Sequence, residues 1–184
     1  MIHPLANSIV TLIKQDPLRM QVLDCVAQLD LPQCYVAAGF VRNLVWDQLH
    51  CCASPTPLND IDVIYFDPID TSYESDLRYE AQLKQRLPEL NWQVRNQANM
   101  HTRNGDEPYQ SSLDAMSYWP EKETAVAVKQ SINGDIECIS SFGLVSLFDL
   151  QITPNPKRNR DIFDQRVQSK NWLTQWSKLT ISHS

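Results

Sequence analysis

Residues 35–67, which read YVAAGFVRNLVWDQLHCCASPTPLNDIDVIYFD, contain two features that decide the fold. A turn of small residues, Ala37-Ala38-Gly39, leads into an apolar pattern of helical spacing that carries Arg42. After a loop rich in Cys, Pro and Ser, Asp60 and Asp62 stand at the head of an apolar run typical of a buried strand. The stretch therefore predicts strand, turn, helix, loop and strand, with both carboxylates on one face of the second strand.

The acid pair has two competing explanations. Two carboxylates at the start of a buried strand repel each other and lose solvation, and a divalent cation is a common compensation for both costs. An Asp-x-Asp sequence in a loop is more often solvated turn chemistry. From Asp60 and Asp62 alone, both explanations stay open.

The composition restricts the class of protein. A chain of 184 residues fits one domain, and we expect a helical cover over residues 1–30 and a helical extension over residues 152–184. The net charge of -6 does not favour binding of nucleic acid, which needs a positive surface. It is compatible with a nucleotide, because a bound metal ion would reverse the local charge.

The five cysteines and the hydropathy pattern favour a cytoplasmic protein. The cysteines are odd in number and none has zinc-ligand spacing, so we expect free thiols. We find neither a signal-like N-terminus nor an apolar run long enough to span a membrane. We therefore expect no membrane partner.

The remainder of the chain predicts helices around a small sheet. Asp16 and Pro17 are typical of a helix start, and residues 73–87 have helical spacing. Residues 91–94 read as a strand, and residues 102–108, which follow His101, as a loop. Asn133-Gly134 between two strand-like runs predicts a hairpin that places Asp135, Glu137 and Ile139 on one face. The basic run at Lys157, Arg158 and Arg160 is more typical of a solvated surface than of a phosphate site.

The order of these elements resembles the DNA polymerase beta-like nucleotidyltransferase superfamily. The run AGFVRN, residues 38–43, is similar to the GGxVRD turn of tRNA nucleotidyltransferases. The segments GFVRNLVWDQLH, PLNDIDVIYFD, NQANMH and SSFGLVSLFDL together resemble a family of small bacterial nucleotidyltransferase-like proteins without an assigned substrate. The resemblance covers about residues 20–175 and implies an α+β fold: a small, twisted, mostly antiparallel sheet flanked by helices.

The resemblance also implies a site and a reaction. A nucleotidyl group would pass from a nucleoside triphosphate to an unidentified small-molecule or macromolecular acceptor, with release of pyrophosphate. Asp60, Asp62 and Glu137 would be the catalytic carboxylates and the ligands of Mg²⁺ or Mn²⁺. Ala38, Gly39 and Arg42 would bind the substrate, although Arg42 could instead lock the turn by pairing with a carboxylate.

Three residues depart from the superfamily pattern. Ala38 replaces the first Gly of GGxVRD, Asn43 replaces its Asp, and Phe40 stands where many members have Ser, so that less room is expected for a triphosphate. An inactive module that binds a nucleotide or a partner is therefore the alternative. A metal-dependent phosphohydrolase ranks third, because we find no histidine–aspartate cluster of the kind such enzymes often use.

Overall fold

A five-stranded sheet is the centre of the computed structural model, which describes residues 4–182. Its strand order is β3-β2-β1-β4-β5, and only the β2–β3 pair is parallel. The mixed α+β fold with a mostly antiparallel sheet, predicted from the sequence, is confirmed. The strands are β1 (Tyr35–Ala37), β2 (Ile61–Tyr65), β3 (Trp92–Asn96), β4 (Val126–Gln130) and β5 (Ile136–Ser140).

Helices surround this sheet, and a separate, short second sheet pairs two segments of the C-terminal region. The helices are α1 (Pro4–Lys14), α2 (Pro17–Ala27), α3 (Gly39–Leu49), α4 (Tyr73–Arg86), α5 (Gln97–Asn104), α6 (Ser112–Met116), α7 (Val145–Phe148), α8 (Arg160–Ser169) and α9 (Trp172–Gln175), with a 3₁₀ turn at Lys122–Thr124. Strands β6 (Gln151–Ile152) and β7 (Thr180–Ile181) pair in parallel. No described helix is both long and apolar enough to cross a membrane.

The two faces of the sheet are covered unequally. One face carries Val36, Val63 and Val128 into the main core, where side chains of α1, α2, α3 and α8 pack on it. The opposite face packs a smaller cluster, which includes Ile64 and Ala127, against α6. Asp62 belongs to this second face, because it alternates with Val63 and precedes Ile64 by two residues. The acid pair therefore lies at the start of β2, on the sheet face that is covered by the smaller cluster.

Several predicted elements are confirmed in detail. Asp16 caps α2 by accepting a hydrogen bond from the Arg19 backbone N–H at 3.0 Å, and Pro17 is the first residue of the helix. Helix α4 spans almost the predicted range. The β4–β5 hairpin turns at Asn133-Gly134, where Gly134 has the positive φ of 85° that such turns require.

The predicted loop after β3 is wrong in part, because α5 occupies residues 97–104. The Asn96 side chain caps this helix by accepting from the Ala98 N–H at 3.1 Å, and Gly105 ends it with φ 71°. His101 lies on this helix, with its Nδ1 2.9 Å from the Ala98 carbonyl oxygen. The predicted terminal segments, residues 1–30 and 152–184, include residues 1–3 and 183–184, which lie outside the described range.

A buried carboxylate joins the C-terminal segment to α3. Asp47 accepts hydrogen bonds from the Thr56 N–H and hydroxyl, both at 2.7 Å, and from Trp176 Nε1 at 2.8 Å. Trp176 is 1% exposed and packs edge-on against Trp46, with ring centroids 5.1 Å apart. Because the three donors neutralise the burial cost of Asp47, this contact fixes both the loop before β2 and the chain after α9.

We expect Asp47→Ala to lower the free energy of unfolding by about 2–3 kcal/mol, because buried Trp176 Nε1 loses its acceptor. Urea denaturation followed by tryptophan fluorescence measures the change. Asp149→Ala, at an exposed position, is the matched control and should stay within about 0.5 kcal/mol of wild type. Equal losses in the two variants would contradict the role of Asp47.

Candidate active site

The turn between β1 and α3 carries an unusual backbone at Ala38. Ala38 has φ 58° and ψ -123°, a conformation that favours glycine. Its carbonyl oxygen accepts from the N–H groups of Val41 and Arg42 at 3.1 and 2.9 Å, and its own N–H donates to Val126 O at 3.0 Å. These contacts hold the strained residue in place, and they explain why the related pattern has glycine at this position.

Gly39 leaves the start of α3 uncovered. A Cβ atom added there would meet Asn43 Nδ2 at 3.4 Å and Arg42 Nη2 at 3.6 Å, which are ordinary contacts. The fold therefore tolerates a side chain at this position. Its absence instead exposes the N-terminal N–H groups of an 11-residue helix, which attract anions.

Phe40 points away from the site. Its side chain is 0% exposed and belongs to the main core, and the Arg19 guanidinium lies 5.4 Å from its ring centroid. The Phe40 carbonyl also accepts from Arg19 Nε at 2.8 Å. The sequence suggested that Phe40 would reduce the room for a triphosphate. The Phe40 side chain lies in the core and does not occupy that space.

Arg42 forms a buried network behind the turn. Its guanidinium lies 4.9 Å from the Trp46 ring and 4.4 Å from the Trp172 ring, and its Nη1 donates to Thr124 Oγ1 at 2.6 Å. Burial lowers the pKa of Arg42 to about 10, and the nearby Glu121 carboxylate offsets part of that effect. These contacts correspond to the structural role of Arg42 that the sequence left open.

Asn43 preserves the acceptor that this network needs. Its Oδ1 accepts from Arg42 Nε at 3.2 Å and from Nη2 at 3.0 Å. An Asp at this position would present the same oxygen with a charge. The departure from the GGxVRD pattern therefore keeps the geometry of the turn and changes only its electrostatics.

Asp60 and Asp62 differ in their surroundings. Asp60 is exposed and accepts from Asn91 Nδ2 at 2.5 Å, whereas Asp62 is partly buried and no hydrogen bond joins its carboxylate to another residue in the range 4–182. Burial raises the pKa of Asp62, and the neighbouring Asp60 carboxylate raises it further. The positive charges of Arg42, Lys170 and Arg166 oppose this shift.

Two cavities flank the acid pair, and we call them the helix-side cavity and the turn-side cavity. Both are lined by Ala38, Asp60, Asp62, Thr124, Arg166 and Lys170. The helix-side cavity, of about 410 Å³, adds Gln93, Arg95, Gln97, Met100 and Arg103 beside α5. The turn-side cavity, of about 140 Å³, adds Gly39, Arg42 and Asn43. Basic side chains thus outnumber the two carboxylates around the site.

A larger cavity of about 760 Å³ lies elsewhere, between the end of α2 and the β4–β5 hairpin. Its only carboxylate is Asp30, and it contains none of the turn residues. Its size alone indicates no chemistry. We therefore assign the site to the two cavities that share the acid pair.

Glu137 is not brought to the acid pair. It lies on β5, three strands from β2, or about 14 Å across the sheet at the usual strand spacing. Its carboxylate instead forms a half-exposed ion pair with Lys129 at 2.7 Å. In the described part of the chain, no three His, Cys, Asp or Glu side chains cluster as metal ligands. The hairpin was predicted correctly, but the assembly of Glu137 with Asp60 and Asp62 is not found.

The sequence did not identify the residues that α8 contributes. Arg166 donates through Nε to Glu121 Oε1 at 2.5 Å, and Glu121 in turn accepts from Thr124 at 2.9 Å, so the Arg42 network also positions Arg166. The basic run considered from the sequence lies outside the site, since Arg158 pairs with Asp106 and Arg160 pairs with Asp164. The helical spacing of Phe163 and Val167 was the available signal, because it places Arg166 and Lys170 beside the face that packs inward.

The sheet, the turn before α3 and the acid pair at the head of β2 define a DNA polymerase beta-like nucleotidyltransferase fold. A family model described as nucleotidyltransferase matches residues 24–181. The chain belongs to this nucleotidyltransferase family. No curated protein matches the chain.

Solved structures agree with this assignment. A protein whose NMR structure is described as revealing a CCA-adding enzyme head domain is 33% identical, with a TM-score of 0.84 over 97% of this chain and 96% of that one. The Thermotoga maritima CCA-adding enzyme complexed with tRNA is 15% identical, with a TM-score of 0.60 over 97% of this chain and 42% of that one. A CCA-adding enzyme complexed with CTP is 15% identical, with a TM-score of 0.58 over 97% and 43%. This chain therefore spans less than half the length of these two enzymes.

We expect Asp62→Asn to raise thermal stability at pH 7, because it removes a carboxylate whose charged form is disfavoured in the fold. A carboxyl group whose pKa is higher in the folded state than in the unfolded state destabilises the fold at a pH above the folded-state pKa. At a pH below the unfolded-state pKa the group is protonated in both states, and this destabilisation is absent. The gain should therefore shrink as the pH falls toward about 4. Melting temperatures measured from pH 4 to pH 8 test this. Asp135→Asn, on the exposed hairpin, should show no such trend. A gain independent of pH would contradict the explanation.

We expect Ala38→Gly to raise the free energy of unfolding by about 1 kcal/mol, because relief of the positive φ exceeds the added entropy of the unfolded chain. Ala27→Gly, at the end of α2, is the control and should lower it by about 0.5–1 kcal/mol. Urea midpoints of both variants measure these changes. Losses of equal size in both would show that Ala38 is not strained.

Proposed function

We propose that this protein transfers a nucleotidyl group from a nucleoside triphosphate to an acceptor, with release of pyrophosphate, and that a divalent metal ion supports the reaction. The observation that carries this proposal is the Asp60–Asp62 pair, in which Asp62 has a raised pKa and receives no hydrogen bond from any other residue in the range 4–182. Two other buried carboxylates have several donors, since Asp47 accepts three hydrogen bonds and Asp76 accepts two. A half-buried carboxylate that has no protein donor and lies beside a second carboxylate in a cleft is typical of a ligand site.

The residues of the site fit Mg²⁺ or Mn²⁺. Mg²⁺ is usually bound by one or two carboxylates together with substrate phosphates and waters, and does not require a complete protein cage. Asp60 and Asp62 would supply the two carboxylates. When bound, the cation would offset the negative charge of the triphosphate and of the departing pyrophosphate.

The residues around the pair would position the triphosphate. The N-terminal N–H groups of α3, at Gly39 and Phe40, would receive phosphate oxygens, and the absent side chain of Gly39 would allow their close approach. Arg166 of α8 would contribute positive charge beside Asp62. Arg42 would act indirectly, by holding the turn and Arg166 through Thr124 and Glu121.

The solved structures of similar fold include complexes with a nucleotide and a complex with a nucleic acid. CCA-adding enzymes of the same fold were solved with CTP, with ATP and with tRNA. Each of those chains is more than twice as long as the part that this protein matches. With a net charge of -6, a small-molecule acceptor fits this chain better than a nucleic acid does.

A binding module without turnover is the second candidate. The absence of a third carboxylate beside Asp60 and Asp62, within the described residues, favours it. In such a module the cavities would hold a nucleotide or a partner, and no pyrophosphate would be released. Identification of the released species separates both candidates from a phosphohydrolase, which would release inorganic phosphate.

Incubation with each nucleoside triphosphate and Mn²⁺, with pyrophosphate release as the readout, tests the proposal. We expect Asp62→Asn to weaken Mn²⁺ binding measured by calorimetry and to reduce turnover by about 100-fold or more. Gly39→Ala should keep the stability of wild type and weaken nucleotide binding, because its methyl group covers the start of α3.

Glu137→Gln is the matched control for the loss of a carboxylate. Since Glu137 pairs with Lys129 on β5, turnover should stay at the wild-type level. A loss of turnover in this variant would return Glu137 to the site. Nucleotide binding without pyrophosphate release would support the binding module, and unchanged Mn²⁺ affinity in Asp62→Asn would refute the metal assignment.

A further inference from the structure

Proton acceptors are scarce around the acid pair. Among the described residues that line either cavity, Asp60 and Asp62 are the only acids, and there is no His, Cys, Glu or Tyr. The side chain in register with Asp62 on the neighbouring strand β3 is the neutral amide of Gln93. A hydroxyl acceptor must lose a proton as it attacks phosphorus, and a positioned base normally takes it. Here both candidate bases belong to the pair that would hold the metal ion.

Unpaired cations are present in the same place. Arg103 and Lys170 are exposed, and within residues 4–182 no hydrogen bond or ion pair occupies either side-chain cation. The other two cations of the helix-side cavity are engaged, because Arg95 pairs with Glu80 at 2.5 Å and Arg166 pairs with Glu121 at 2.5 Å. Two free positive charges in a chain of net charge -6 mark this cavity as a place for an anion.

The position of Arg103 separates this anion from the triphosphate. Arg103 lines the helix-side cavity together with Gln93 and Gln97, whereas Gly39 and Asn43 line only the turn-side cavity. Asp60 and Asp62 lie between the two and line both. The turn would therefore hold the β- and γ-phosphates, and the region near Arg103 would hold a second anionic group on the other side of the reacting phosphorus.

We infer that the acceptor is a phosphate monoester, bound in the helix-side cavity by Arg103 and Lys170; the inference rests on the proposed nucleotidyl transfer. An oxygen of the phosphate dianion attacks the α-phosphorus, a new P–O bond forms, and the bond from the α-phosphorus to the pyrophosphate oxygen breaks. Pyrophosphate leaves with the electron pair. Because the attacking oxygen is already ionised, no proton has to be removed, and the product contains a new pyrophosphate linkage.

Inorganic phosphate is the probe for this acceptor site. Calorimetry measures its binding to the protein loaded with Mn²⁺ and a nonhydrolysable nucleoside triphosphate, so that the triphosphate site is filled. We expect saturable binding by the wild type, and a dissociation constant about tenfold higher in Arg103→Ala or Lys170→Ala. Lys14→Ala, exposed on α1 and outside both cavities, is the charge-matched control and should bind as wild type does.

A product assay provides the second readout. The protein is incubated with a nucleoside triphosphate, Mn²⁺ and either ribose 5-phosphate or ribose. We expect pyrophosphate release to rise with ribose 5-phosphate but not with ribose, and mass spectrometry to show a pyrophosphate-linked product.

Two results would overturn the inference and leave the proposed transfer intact. One is a loaded protein that binds no inorganic phosphate, or binds it equally in the Arg103 and Lys170 variants. The other is pyrophosphate release that rises with ribose as much as with ribose 5-phosphate. Failure of the triphosphate analogue itself to bind would refute the proposed function, and this inference with it.

Discussion

The buried guanidinium of Arg42 is the contact on which the site depends. The Arg42 cation, buried against the rings of Trp46 and Trp172, loses most of its hydration, and the neighbouring groups must compensate for that loss. Thr124 does so directly and Glu121 through its charge. Because these partners belong to the turn before β4 and in turn hold Arg166 of α8, one buried charge joins three distant segments around the acid pair.

The acid pair differs from Arg42, because its charge is not compensated by neighbouring hydrogen-bond donors to the same extent. Among the described residues, none donates a hydrogen bond to the partly buried Asp62 beside Asp60, whereas three donors serve Asp47. Local destabilisation of this kind is common at functional sites, where a ligand provides the missing compensation. The same site also carries two cations, Arg103 and Lys170, that have no partner within the described part of the chain and that a metal ion alone would not use. The arrangement is suited to a metal ion held between two anionic groups.

Much of the fold could be predicted because its signals are local. The cap at Asp16, the hairpin at Asn133-Gly134 and the strand after the acid pair each follow from residues within a few positions of one another. Helix α5 had equally local signals, a cap at Asn96 and a left-handed Gly105, but its last residues were assigned to a loop predicted over residues 102–108. The short pairing of β6 with β7 had none, since two-residue strands leave no periodic pattern.

The sequence by itself determined the family fold, the turn at Ala38-Gly39 and the common face of Asp60 and Asp62, because each depends on residues adjacent along the chain. Only the tertiary structure decided what surrounds the pair. Strand order moved Glu137 three strands away, packing turned Phe40 into the core, and the return of α8 brought Arg166 to Asp62. Such proximities depend on strand order and helix docking, which arise from the packing of the whole core and not from any single segment.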